Sequence, residues 1–135
     1  MNKIPNITAA VLTNISKPLE IIKNIIIPDL RFDQVLVKIF YSGVCHSQLM
    51  EVKGLRGNDI WLPHMLGHEA TAEVIQVGSE VKKVKKGDKV ILTWIKGNGK
   101  DFGGTKYLTT DGKTINSGSV TTFSNYSVVS ENRVS

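Results

Sequence analysis

A two-residue alternation of apolar and polar side chains runs through most of the chain and leaves little room for helix. "QVLVKIFYSGV", Gln34 to Val44, is rich in β-branched and aromatic residues, and "TAEVIQVG", "DKVILTWI" and "TTFSNYSVVS" follow the same loose period. Such runs suit a pleated, half-buried surface. Glycine with Asp or Asn separates them at Gly43, Gly78, the "KGD" of Lys86 to Asp88 and "GNGKDFGG". Only His46 to Val52 reads as a short helix, and the polar stretch from Lys96 to Ser119 reads as an inserted loop or hairpin. The expectation is one mostly β domain over residues 1–135, its short strands curling into a distorted barrel.

At 135 residues such a domain buries roughly two thirds of the surface its unfolded chain exposes, enough for a core without covalent staples. Hydrophobic residues make up 41% and charged residues 21%, which excludes a disordered or fibrous chain. Cys45 is the single cysteine, so no internal disulfide can form, and a reducing cytoplasm is the expected location. "MNKIPNITAAVLTNISKP" lacks the apolar run of a signal peptide, and "IIKNIIIP" is too short and interrupted to span a membrane. The net charge of +5 raises the question of nucleic acid. Its densest cluster, "KKVKKGDK" at Lys82 to Lys89, has no interleaved aromatics to stack bases and reads as a solvated lysine loop.

Chemistry concentrates in two stretches. "SGVCHSQLM" carries Cys45 beside His46 and Ser47, and "LPHMLGHEATAEVIQVGSEVKKVKKGDKV" carries Gly67-His68-Glu69 just before a strand-like run. A glycine there can turn the following imidazole and carboxylate toward a common point. Cys45 and His68 each sit at a strand edge or loop, and thiolate with imidazole suits zinc, which takes sulfur and nitrogen ligands tetrahedrally. Taken alone the pairing is weak evidence, since a solitary cysteine such as Cys45 is more often a small core hydrophobe and a histidine after glycine such as His68 more often a hydrogen-bonded loop residue.

"GVCHSQL", "LPHMLGHEATAEVIQVGSEVKKVKKGDKVI" and "TTFSNYSVVSENRV" resemble, in that order, three segments of the N-terminal GroES-like catalytic domain of zinc-dependent medium-chain alcohol dehydrogenases. The likeness runs from about Thr8 to Val134, apart from the polar insert. It implies that Cys45 and His68 bind a catalytic Zn²⁺, which polarises an alcohol or carbonyl oxygen for hydride exchange with NAD(P). Ser47 falls at the family's hydroxyl position, which takes the alcohol proton, although locally it serves as well as a helix N-cap. Glu69 matches the carboxylate beside the zinc histidine, with a plain surface acid as the alternative. His46 falls where relatives often face the dinucleotide pyrophosphate with a basic residue, and Trp94 where an aromatic residue walls the substrate pocket; an incidental histidine and a core tryptophan are the bland readings.

The departures also carry information. Ala72 stands where the signature usually has Gly, and Met50 where some relatives carry a relay histidine. Gln48 replaces an Asp that supports the zinc site, so a charged partner of the metal histidine has become neutral. No cysteine follows Cys45, so the four-cysteine structural-zinc lobe of many relatives has no counterpart. The third catalytic zinc ligand and the Gly-x-Gly-x-x-Gly turn of a Rossmann domain are likewise absent from residues 1–135.

The sequence therefore points to the catalytic-domain portion of an alcohol dehydrogenase, acting on a small alcohol or aldehyde. It is expected to be inactive without a cofactor domain, to which it would bind, and prone to self-associate through open sheet edges. A non-catalytic GroES-like interaction module, or a truncated remnant, is the alternative.

Overall fold

The computed structural model describes residues 6–135. In chain order the elements are β1 (Ile7–Leu12), β2 (Glu20–Ile25), β3 (Gln34–Ser42), α1 (His46–Val52), β4 (His64–Met65) and β5 (Ala70–Val77), followed by β6 (Lys89–Leu92), β7 (Thr105–Leu108), β8 (Thr114–Ser117) and β9 (Tyr126–Ser130). A single 3₁₀ turn, Glu131–Arg133, follows β9. The strands form two sheets, ordered β2-β1-β4-β8-β7 and β6-β5-β3-β9. This is the mostly β, curled architecture that the two-residue period implies.

β3 shows why the pattern works. Val35 and Val37 point to one side and join Ala72, Val74, Val90 and Leu92. Leu36 points to the other and meets Ile7, Val11, Ile25 and Tyr107, contributed by the five-stranded sheet. β9 divides in the same way, with Val129 in the first cluster and Val128 in the second. The first half of β3, Gln34 to Val37, is therefore buried on both faces between β5 and β9, and each of its fully buried apolar side chains contributes roughly 1.5–3 kcal/mol.

Several elements escape the alternation rule. β1 and β2 lie in an N-terminal region whose strand character does not stand out, because β2 is largely exposed and carries Asn24 at a positive φ of 60°. "TTFSNYSVVS" is a strand only from Tyr126. The residues before it dock irregularly, with the Ala10 N–H donating to the Phe123 carbonyl at 2.9 Å. The polar Lys96–Ser119 stretch contains the β7–β8 hairpin, and β8 joins the five-stranded sheet by pairing parallel to β4. Its two core residues, Tyr107 and Ile115, are fully or almost fully buried. In the lysine loop the charged side chains face water while Val84 packs against the core.

α1 starts where the sequence places it, but its cap is different. Cys45 is the N-cap residue, in extended conformation, and its N–H donates to Gln48 Oε1 at 2.6 Å. Ser47 lies inside the helix, so the N-cap reading of Ser47 is corrected: the helix begins two residues too early for its hydroxyl to cap. Among the described residues no helix is long and apolar enough to cross a membrane.

Candidate functional site

The β3–β5 ladder brings the two informative stretches together. Ser42 at the end of β3 pairs with Ala70 at the start of β5, and the Gly43 N–H extends the ladder to the Glu69 carbonyl at 3.0 Å. Ser42 Oγ lies 2.7 Å from Thr122 Oγ1, which ties this end of the ladder to the segment before β9. Beyond the pairing, one strand runs out into Cys45 and α1 while the other is preceded by His68.

Two glycines make the approach possible. Gly67 sits at φ +101°, and a Cβ there would collide with Thr122 Oγ1 and come within 2.9 Å of Phe123 Cδ1. Only glycine combines that backbone with that closeness, and the turn it makes aims the His68 ring at α1. At Gly43 a side chain would occupy the space taken by the Glu69 carboxylate.

Ser47 Oγ lies 3.2 Å from Cys45 Sγ and 3.4 Å from His68 Nδ1, so one hydroxyl sits between thiol and imidazole and donates to the thiol. Gln48 Nε2 lies 2.9 Å from the same Nδ1 and 3.3 Å from Ser47 Oγ. Gln48 itself is only 3% exposed, whereas Cys45 is at the surface. The Cys45 thiol is held below its ordinary pKa, first by the Ser47 hydroxyl and then by the Ser47 backbone N–H. Slight desolvation and the negative charge of Glu69 work in the opposite direction. Donors of this kind favour the thiolate over the thiol.

His68 and Gly67 form one wall of a cavity of about 680 Å³, whose other side includes Glu51, Asp59, His64 and Asn116. Of the sequence-derived site residues, Cys45, Ser47 and His68 meet directly, and Glu69 lies beside them against Gly43. Of the sequence-derived site residues only His68 lines this cavity; Cys45, Ser47, Glu69, His46 and Trp94 do not. Trp94 is 60% exposed on the loop after β6, where its carbonyl accepts a hydrogen bond from Arg133.

The apolar context of "LPHML" conceals one cavity residue, His64. Its Nδ1–H donates to the Met65 carbonyl at 2.9 Å and its Nε2 lies 2.6 Å from Asp59 Oδ2, with Glu51 Oε2 4.0 Å away. A histidine inside an apolar run, with acids at Glu51 and Asp59 shortly before it, was the available signal.

Thiol and imidazole suit zinc in kind. In number they fall short, because among the described residues no group of three or more His, Cys, Asp or Glu side chains could hold a metal ion.

Comparison with known proteins agrees with the architecture. A family model described as "Alcohol dehydrogenase GroES-like domain" matches residues 31–135. An alcohol dehydrogenase of Rhizobium meliloti (strain 1021) is 38% identical over 91 residues, covering 65% of this chain and 26% of the relative. A D-arabinose 1-dehydrogenase (NADP(+)) of Saccharolobus solfataricus is 40% identical over 89 residues, covering 64% of this chain and 25% of the relative. Among solved structures, an alcohol dehydrogenase zinc-binding domain protein from Burkholderia ambifaria superposes with a TM-score of 0.75 at 25% identity, over 95% of this chain and 40% of that one. The chain thus spans about a quarter of the length of these curated relatives. With the matched segment containing the Cys45–Ser47–His68 cluster and most of both sheets, the chain belongs to the alcohol dehydrogenase GroES-like domain family.

Proposed function

We propose that this chain is the catalytic-domain portion of a zinc-dependent alcohol dehydrogenase that oxidises a small alcohol by hydride transfer to NAD(P). The observation that carries the reading is the Ser47 hydroxyl placed between Cys45 Sγ and His68 Nδ1. Cys45 and His68 would hold the metal, with the remaining ligand and the dinucleotide supplied from outside residues 1–135. When bound, zinc would polarise the substrate oxygen and NAD(P) would accept the hydride.

The chain's own groups do the rest. Ser47 Oγ can both accept and donate, so it can accept the substrate's hydroxyl proton as its own proton passes on to water. Glu69 places a negative charge beside the thiolate, where it opposes Cys45 ionisation and would balance a bound cation. The cavity beside His68 is large enough for a small alcohol or aldehyde and offers carboxylates and an amide to orient one. His46, exposed at the start of α1, would face the dinucleotide, and exposed Trp94 would form an aromatic surface completed by the cofactor domain. A cytoplasmic setting, keeping the lone thiol reduced, suits this chemistry.

The test is alcohol-dependent NAD(P) reduction by this chain, alone and joined to the dinucleotide-binding domain of a family member. Turnover should require that domain and should fall by at least about 100-fold in Ser47→Ala, on the scale of losing a general acid–base. Turnover undiminished in Ser47→Ala and Cys45→Ala would contradict the reading.

A further inference from the structure

The Cys45 N–H fixes the orientation of the buried Gln48 amide. Its Oε1 accepts the Cys45 N–H at 2.6 Å, so its NH₂ group is the end that points at His68 Nδ1, 2.9 Å away. The same nitrogen lies 3.3 Å from Ser47 Oγ, whose own proton is directed to Cys45 Sγ at 3.2 Å, leaving that oxygen to accept. Turning the amide over would set its NH₂ against the Cys45 N–H, two donors face to face in a site that is 3% exposed.

An N–H can only donate, so Nδ1 of His68 must accept. A neutral imidazole has one N–H and one lone pair, and if Nδ1 accepts, the proton is on Nε2. Metal-binding histidines have the opposite arrangement, in which the nitrogen away from the metal donates to a carboxylate or carbonyl and the ligating nitrogen is left bare. Here one lone pair is occupied by the Gln48 amide and the other nitrogen carries the proton.

We propose that Gln48 is a positioning residue that holds His68 in the tautomer opposed to zinc ligation, so that metal enters this site only by displacing the Gln48 amide. The proposal rests on the reading of Cys45 and His68 as the metal pair. It makes the centre intrinsically weak for a reason independent of its ligand count. A carboxylate at this position would reverse the effect, since Glu is the same length, accepts from the Cys45 N–H with one oxygen and can accept an Nδ1–H with the other.

Two measurements on the chain test it. Long-range ¹H–¹⁵N correlation of the metal-free protein, with His68 assigned by His68→Ala, should show the Nε2–H form in the native chain and the Nδ1–H form in Gln48→Glu. Titration with Co²⁺, followed by thiolate-to-cobalt charge-transfer absorption, should show Gln48→Glu binding about 10- to 100-fold more tightly than the native chain. An Nδ1–H form in the native chain would overturn the proposal whatever the metal data show. Native binding as tight as that of Gln48→Glu, with the thiolate band present, would overturn it while leaving the metal pair intact. Absence of the thiolate band in both proteins would instead defeat the metal-pair reading and, with it, this proposal's consequence for zinc.

Discussion

Ser42 stands opposite Ala70 in the β3–β5 ladder, and this pairing is what allows a cysteine and a histidine from different motifs to flank one hydroxyl. Register is fixed because a one-residue slip would turn the Val35 and Val37 face of β3 out of its core.

The first prediction concerns the thiol. Ser47 supplies the largest influence lowering the Cys45 pKa. Ser47→Ala removes the hydroxyl donor, so the thiolate is less favoured and its pKa rises. Alkylation rate measured against pH should have its midpoint at higher pH in the variant. A midpoint unchanged or shifted downward would show that Ser47 does not stabilise the thiolate.

Gly67→Ala should be costly out of proportion to one methyl group. It combines a left-handed backbone at φ +101° with collisions at Thr122 and Phe123, for an expected loss of about 2–4 kcal/mol. Urea unfolding would measure this, and a loss below about 0.5 kcal/mol, the range of ordinary surface changes, would mean that the turn can relax without consequence.

Tyr107 locks the β7–β8 hairpin to β9. Its hydroxyl accepts the Val128 N–H at 2.8 Å and donates to the Val128 carbonyl at 3.4 Å. Tyr107→Phe strands both groups and should cost about 1–3 kcal/mol. Burial pushes the Tyr107 pKa up to about 12. Its folded value is thus above the unfolded value of roughly 10, so its contribution is complete below about pH 10 and is lost as pH rises toward the folded value. Stability of the native chain should fall across that window, and the Phe variant should show a shallower fall.

Asp101 ties the polar stretch to the chain's last turn. The Gly103 N–H, Ser119 Oγ–H and the Arg133 guanidinium at 3.0 Å all donate to it, and together they hold its carboxyl well below the usual carboxylate range despite some burial. Its contribution is present above the unfolded pKa of roughly 4 and disappears as pH falls through the lower folded value. Asp101→Asn, at an exposed position where solvent screens the charge, should cost about 1 kcal/mol at neutral pH and flatten the acid limb of the stability profile. An acid limb of unchanged slope would assign that limb to other groups.

Much of this was legible in the residues, and the exceptions have physical causes. β3 and β5 announce themselves because their alternation is dense, and α1 because His46 to Val52 breaks it. β2 does not, since a mostly exposed strand has no apolar face to display. The hairpin at Thr105–Ser117 was legible as one of two alternatives, loop or hairpin, because polar loop residues surround its two core anchors, Tyr107 and Ile115. At the site, Cys45, Ser47 and His68 were visible as residue types. The capping role of Cys45 and the direction of the Gln48 amide were not, because both depend on a helix start that local sequence fixes only to within a residue or two. His64 was hidden by its apolar neighbours, and its partners Asp59 and Glu51 reach it only through the folded loop.

The central claim is that Cys45 and His68 form one metal centre, and zinc K-edge X-ray absorption on the chain loaded with one equivalent of zinc tests it most directly. The account predicts one sulfur at about 2.3 Å and one imidazole nitrogen at about 2.0–2.1 Å, with oxygen in the remaining positions. Cys45→Ala should remove the sulfur shell and His68→Ala the imidazole scattering. A native spectrum with no sulfur shell, or one in which His68→Ala leaves the imidazole scattering intact, would contradict the account.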